Sequence, residues 1–371
     1  MKKIAVLLCW FLLLASGAVL SCQVPVFRFA LERWPADRFQ LLVTSRGPLE
    51  EGLQQEIDSL LQAAAEEGNE INMDLEQVDM DKLSEAERIS HPALDHAGEG
   101  ASLILMPPES WTAEDPVWVG EATVDNLRRL LDSPLRQRCG DVLVKGASAV
   151  WVLVECGDPD KDRAAREMLV AGVKEASETL ELPEGVIRRE DLNKDFANID
   201  PDNILRSDVP LQISFVTETV SRDDPAEALF LPMLVGAEML ALNEPLIVPV
   251  FGRGRTFGAL PASQSSVERI VGASEYLCGA CSCQVKEGNP GYDLLIKRNW
   301  DALLDIEEIT PDSEIIQRAL DVVTFEPAGA DVSGNNEAAG RRPPFLIWMA
   351  SGGFVLMAGL GYLRFRHSSA A

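Results

Sequence analysis

The sequence predicts an α/β protein in which two similar domains follow one another and a hydrophobic helix comes last. Strand-like apolar runs alternate with segments whose apolar residues recur at helical spacing, and this alternation occurs twice along the chain. An uninterrupted apolar stretch at residues 345–363 predicts the last helix. The 371 residues, of which 46% are hydrophobic and 25% charged, are sufficient for two globular domains.

Residues 1–21 have the layout of a secretory signal peptide. Lys2 and Lys3 come first, an apolar run follows, and small residues lead up to Ser21. This pattern predicts export, which places the body of the chain outside the cytoplasm. Cys22 follows a loose lipobox, so a lipid anchor on Cys22 is an alternative to simple cleavage after Ala18.

Residues 22–145 form the first predicted domain, which is a degenerate version of the second. Strands are expected at residues 39–44, 71–78, 102–106 and 117–119. Pro48 opens a helix after the first strand, and Thr123 is expected to cap a helix after the fourth.

Residues 146–326 form the second predicted domain, which ends in a helical extension. Its strands are expected at residues 149–155, 211–217, 246–251 and 255–260, and its helices at residues 159–180, 224–240, 267–277, 299–309 and 312–323. Ser265 and Glu268 are expected to form a capping box for the third of these helices. The resulting order is β-α-β-α-β-β-α.

That order resembles the thioredoxin fold, and the resemblance extends to one turn. Cys156-Gly157-Asp158-Pro159-Asp160-Lys161 follows the first strand of the second domain, where the thioredoxin-like superfamily carries Cys-Gly-Pro-Cys-Lys. The resemblance implies that Cys156 occupies the nucleophilic position and that Pro245 is a cis-proline beside it. Asp160 stands near the place of the missing second cysteine, and the equivalent turn of the first domain, at residues 45–48, has no cysteine.

The whole region outside the membrane also resembles an uncharacterised family of exported proteins from planctomycetes and related bacteria. CQVPVFRFALERW at residues 22–34, together with FGRGR and CGACSCQVKEGNPGYDLL within residues 251–295, carries this resemblance. It implies export and supplies no activity.

Six cysteines follow the predicted signal peptide: Cys22, Cys139, Cys156, Cys278, Cys281 and Cys283. Outside the cytoplasm this number predicts structural disulfides, with Cys139 and the CGACSC cluster (Cys278, Cys281 and Cys283) as the first candidates and the connectivity open. The CGAC half also looks like an oxidoreductase dithiol, although the negative end of the preceding helix would disfavour a thiolate there. A soft-metal site for copper(I) or zinc is the weaker alternative.

The net charge of −26 makes nucleic acid a poor partner. No Walker, GxSxG or HExxH motif occurs, so no nucleotide and no cofactor is expected. Arg253 and Arg255 stand out against the acidic body in a glycine-rich turn, where they would hold an anion or pair with carboxylates.

Residues 345–363 would cover about 28 Å as a helix, which is close to the hydrocarbon thickness of a bilayer. Residues 327–344 read as a flexible linker and residues 364–371 as a cytoplasmic tail. The sequence therefore predicts a single-pass membrane protein whose body lies on the extracytoplasmic, periplasmic side. The favoured function is a non-catalytic binding or scaffold module for other envelope proteins. The alternative is a thiol-disulfide oxidoreductase or a soft-metal handling protein that uses the CGACSC cluster.

Overall fold

Two β-sheets with the same strand order form the framework of the protein. The computed structural model describes residues 22–66, 71–111, 115–188, 191 and 201–306. The predicted signal peptide, linker, membrane helix, tail and helix at residues 312–323 lie outside these ranges. None of the helices within them has the length and apolar character needed to cross a bilayer.

The first sheet has the order β2-β1-β3-β4. Its strands are β1 (Phe39–Ser45), β2 (Met73–Asp79), β3 (Ser102–Met106) and β4 (Trp118–Glu121). β2 runs parallel to β1, β3 runs antiparallel to β1, and β4 runs antiparallel to β3. The helices that follow its strands are α2 (Glu51–Glu66), α3 (Glu85–Ser90) and α4 (Val124–Leu131).

The second sheet repeats this arrangement. Its strands are β5 (Ala149–Glu155), β6 (Phe215–Ser221), β7 (Leu246–Phe251), β8 (Arg255–Thr256), β9 (Leu260–Pro261) and β10 (Tyr292–Asp293). The order is β6-β5-β7-β8-β10, and β9 also pairs with β7. β6 is parallel to β5, β7 is antiparallel to β5, and β8 is antiparallel to β7, so both sheets share strand order and direction.

The remaining helices surround these sheets. They are α1 (Val26–Glu32), α5 (Pro134–Val144), α6 (Pro159–Thr179), α7 (Leu231–Val235), α8 (Ala237–Leu240), α9 (Val267–Cys278), α10 (Cys283–Gly288) and α11 (Trp300–Leu304). The expected domain boundary, between residues 145 and 146, falls between α5 and β5. Both sheets belong to the same compact unit of the chain.

β5 is buried on both faces, and its side chains alternate between two hydrophobic clusters. Val150, Val152 and Val154 lie in a cluster that also takes residues from the first sheet and from α4 and α5. Trp151 and Leu153 lie in a second cluster with residues of α1, α6 and α9. This continuous burial explains why β5 reads as an unbroken apolar run in the sequence.

Several expected elements differ from the structure. β6 begins and ends four residues later than the strand expected at residues 211–217. It is an edge strand with only one buried residue, so no continuous apolar run marks its bounds in the sequence. The single helix expected at residues 224–240 is divided at Gly236, whose φ of +84° ends α7. The hairpin partner of β7 is only two residues long. The N-cap of α9 is Ser266, which accepts from the Arg269 amide at 3.2 Å, so the capping box of Ser265 and Glu268 is wrong.

Candidate functional site

The turn that carries Cys156 lies at the carboxyl end of β5, an inner strand of the second sheet. The local sequence builds this turn. Asp158 caps α6 by accepting hydrogen bonds from the amides of Asp160 and Lys161, and Pro159 occupies the first helical turn. Cys156 lies between the end of β5 and the start of α6, as expected, and it is half-buried.

A buried carboxylate of α6, that of Asp162, binds the main-chain amides of this turn. Asp162 is 7% exposed, and its two oxygens accept hydrogen bonds from the amides of Cys156 at 2.8 Å and Gly157 at 3.0 Å. Gly157 has a φ of +85°, a backbone conformation that favours glycine. The amides beside Cys156 are therefore occupied by the protein's own carboxylate and do not face an incoming ligand.

A single arginine joins this turn to the loop before β7. Arg222 donates to the carbonyl oxygens of Glu155 at 3.3 Å, Leu242 at 2.7 Å and Glu244 at 2.8 Å. Lys161 adds a bond to the carbonyl oxygen of Asn243 at 2.7 Å. The cysteine turn and the loop that leads to Pro245 are thus fixed side by side.

Pro245 does not have the expected cis geometry. No peptide bond between described residues is cis, so the bond before Pro245 is trans. The carbonyls on both sides of this bond are engaged, since Glu244 accepts from Arg222 and Pro245 accepts from the amide of Ala262 at 2.8 Å. Pro245 lies directly before β7, and the expected cis geometry is wrong.

The CGACSC cluster does not form a single thiol site. α9 ends at Cys278, one residue beyond the expected end at Leu277, and Cys283 begins α10 after the N-cap Ser282. Cys278 and Cys281 are buried whereas Cys283 is exposed, and burial raises the pKa of both buried thiols to about 12. One helix ends and another begins within the motif, and its cysteines differ in burial.

The expected disulfides are not present, because all six cysteines of the described ranges are free thiols. Cys139 illustrates the reason. It lies on α5 in a hydrophobic cluster that contains no other cysteine, and burial raises its pKa to about 12. Cys139 therefore acts as a small buried apolar residue rather than as half of a crosslink.

Cys22 is held inside the protein by the CGACSC segment. The chain at Pro25 forms an antiparallel bridge with Ala280, and the amide of Cys281 donates to the carbonyl of Val24 at 2.9 Å. Cys22 is 1% exposed, and its Sγ donates to the carbonyl of Asp202 at 3.2 Å. The sulfur of Cys22 is therefore enclosed by the protein.

The soft-metal alternative gains no geometric support. Within the described ranges, no group of three or more His, Cys, Asp or Glu side chains is arranged to hold a metal ion. A structural zinc site needs four ligands, and Cys283 is exposed whereas Cys278 and Cys281 are buried.

Arg253 and Arg255 have separate environments. Arg255 is 2% exposed and forms two bonds to Asp293, at 2.9 and 2.6 Å, and one to Asp37 at 3.0 Å. Burial raises the pKa of the Asp293 carboxyl, and the bonds from Arg255 oppose that shift. Arg255 therefore pairs with carboxylates, the second of its two expected roles. Arg253 donates to the carbonyl of Leu31 and to Asp301, at the edge of a cavity.

Sequence reasoning did not identify Asp162 or Arg222 as parts of this site. Asp162 was one of several acidic residues in the first turn of a helix, where carboxylates are ordinarily favoured by the helix dipole. Arg222 acts on main-chain carbonyls of residues up to 67 positions away, and such bonds leave no pattern in a single sequence. Comparison with known proteins adds nothing to these assignments: no family model matches the chain, and no curated protein matches it significantly.

Proposed function

We propose that the protein is a thioredoxin-like binding or scaffold module of the cell envelope that does not catalyse thiol exchange. The repeated strand order β2-β1-β3-β4 and β6-β5-β7-β8, with one parallel and two antiparallel pairings in each set of four strands, supports two thioredoxin-like units. The observation that carries the non-catalytic part is the closed turn at Cys156, whose amides are bonded to Asp162.

Dithiol exchange requires two thiols that can reach each other and one that ionises near neutral pH. Cys156 has Asp160 near the position of the second cysteine. The remaining dithiol, Cys278 and Cys281, is buried, and a pKa of about 12 keeps both thiols protonated at neutral pH. The turn at Cys156 therefore lacks a second thiol, and Cys278 and Cys281 lack a thiol that ionises near neutral pH.

The membrane part of the proposal rests on the sequence. The apolar stretch at residues 345–363 would anchor the chain, and the signal-like residues 1–21 would direct the body to the extracytoplasmic side. A binding role suits this location because the linker at residues 327–344 would give the body reach from the membrane. Protease protection of the body in intact cells, lost after disruption of the outer layers, would support this orientation.

The test of the catalytic alternative uses the full-length protein. Turnover of a peptide disulfide in glutathione buffer is compared between the unchanged chain, Cys156→Ser and Cys281→Ser. We expect all three to match the buffer alone. Turnover by the unchanged chain that disappears in Cys156→Ser would establish an oxidoreductase, and loss in Cys281→Ser would assign the activity to the CGACSC cluster.

A further inference from the structure

A cavity of about 520 Å³ lies where the beginnings of the first two strands meet α11 and the turn between β7 and β8. We call it the arginine cleft, after Arg38, Arg253 and Arg298, which line it. Asp301 is the one carboxylate among its lining residues. Three arginines among eleven lining residues stand out in a chain with a net charge of −26, and the volume of the cleft suits a small ligand.

Each guanidinium of the arginine cleft is held by a main-chain carbonyl. Arg38 donates to Met73 at 2.6 Å, Arg253 to Leu31 at 2.8 Å, and Arg298 to Gln137 at 2.9 Å. Arg253 and Arg298 are 10% and 18% exposed in their side chains, so packing restricts them further. The guanidinium groups are therefore positioned before any ligand arrives, and little side-chain entropy would be lost on binding.

The carboxylate partners of these arginines are exposed. Arg38 pairs with Asp74, Arg298 with Asp141, and Arg253 with Asp301, and the three carboxylates are 66%, 62% and 71% exposed. Exposed ion pairs contribute little stability, so these carboxylates can turn outward into water at low cost. The Nη1 group of Arg253 forms no hydrogen bond with any described residue.

We propose that the arginine cleft binds a small organic molecule through a doubly charged oxyanion group, either a phosphate or a pair of carboxylates. Guanidinium groups match the geometry of such oxyanions with paired hydrogen bonds. Asp301 competes with the ligand for Arg253. When the ligand binds, its oxyanion group takes the place of the Asp301 carboxylate beside Arg253. The site stands independently of the thiol chemistry, since no cysteine lines the cleft.

Titration calorimetry of the full-length protein in detergent at low ionic strength tests this site, with inorganic phosphate and malonate as probes. Removal of one guanidinium by Arg298→Gln should raise the Kd about tenfold. Removal of the competing carboxylate by Asp301→Asn should lower the Kd by roughly threefold to tenfold. A merely structural role for the arginines would not produce tighter binding in Asp301→Asn.

The matched controls are Arg163→Gln and Asp160→Asn, which make the same charge changes at an exposed ion pair on α6. Both should leave the Kd unchanged. Thermal unfolding identifies any variant that fails to fold, and Asp301 is exposed enough for its variant to remain folded. Preference for one probe assigns the ligand class. Failure of both probes to bind at millimolar concentration, or equal affinities in cleft variants and controls, would overturn the proposal.

Discussion

Burial separates the six cysteines into two groups with different expected reactivity. Cys22, Cys139, Cys278 and Cys281 are buried, whereas Cys156 is half-buried and Cys283 is exposed. Accessibility and thiolate fraction both govern the reaction of a cysteine with an alkylating agent. The structure therefore assigns a reactivity order that the spacing of CGACSC does not reveal.

We predict that iodoacetamide at pH 8 labels Cys283 first and Cys156 next in the folded protein. Cys139, Cys278 and Cys281 should react more than about tenfold slower, because burial raises their pKa to about 12 and restricts access. Peptide mass spectrometry of a labelling time course measures the order, and denatured protein is the control in which all thiols react alike. Fast labelling of Cys278 or Cys281 in folded protein would contradict it.

Single residues show where sequence reasoning succeeds and where it stops. The strand-to-helix position of Cys156 was predictable because the apolar strand and the Asp158-Pro159 cap are local signals. The role of Arg255 was left between two alternatives, because its partners Asp37 and Asp293 are 218 and 38 residues away. Spacing along the chain does not encode contacts of that kind.

At the scale of elements, α1 is a helix that the sequence pattern does not predict. All seven residues of Val26–Glu32 are buried, so the segment lacks the polar face that marks an amphipathic helix. By contrast, β3, β5 and β7 have the bounds expected from their apolar runs. The bounds of buried strands can be predicted from sequence, whereas those of edge strands such as β6 and of fully buried short helices cannot.

A buried ion pair within α1 fixes this helix to residues 206–209 through further hydrogen bonds. Arg28 and Glu32 are 0% and 1% exposed and are joined at 2.8 Å, and Glu32 also accepts from the amides of Arg206 and Ser207. Glu32→Gln should lower the free energy of unfolding by about 3–5 kcal/mol, because Arg28 would remain buried without a counter-charge. Urea unfolding measures the change.

The matched control for that experiment is Glu178→Gln, which removes an exposed partner at the same i,i+4 spacing from Lys174. Its effect should be below about 1 kcal/mol. Equal losses in the two variants would show that α1 is not held by its buried pair.

The ion pairs of Asp202 beside α1 predict that the stability of the folded protein depends on pH. Asp202 pairs with Lys286 of α10 and with Arg33, directly after α1. The hydrogen bond from Lys286 lowers the pKa of Asp202, so the folded state binds its proton less tightly than the unfolded state. The stabilisation is therefore present above the ordinary aspartate range and is lost as the pH falls through the folded-state pKa.

We predict that Asp202→Asn destabilises the protein at pH 7 by roughly 0–1 kcal/mol, a small value because Asp202 is half exposed. The difference from the unchanged chain should shrink below about pH 4, the ordinary range of an aspartate. Urea unfolding at several pH values measures it. A difference that stays constant down to pH 3 would contradict the assignment.

At the scale of the whole molecule, the two sheets share one hydrophobic cluster. It combines β1 and β3 of the first sheet with β5 and β7 of the second, and α4 and α5 contribute Leu130 and Leu143, both 0% exposed. The sequence predicts two repeats but does not show that they share a hydrophobic cluster, because each repeat could bury its apolar residues within its own domain. The shared cluster predicts that the sheets unfold together.

Leu130→Ala tests that cooperativity. The substitution leaves a cavity beside α4 and should lower the free energy of unfolding by about 2–5 kcal/mol. Since the cluster spans both sheets, hydrogen exchange of β1 and β5 amides should accelerate by the same factor when measured by mass spectrometry under native conditions. Leu61→Ala is the control, because Leu61 is 42% exposed on α2 and its removal should change neither rate appreciably. Faster exchange of β1 alone would mean that the sheets are separately stable, and each sheet would then belong to an independent folding unit.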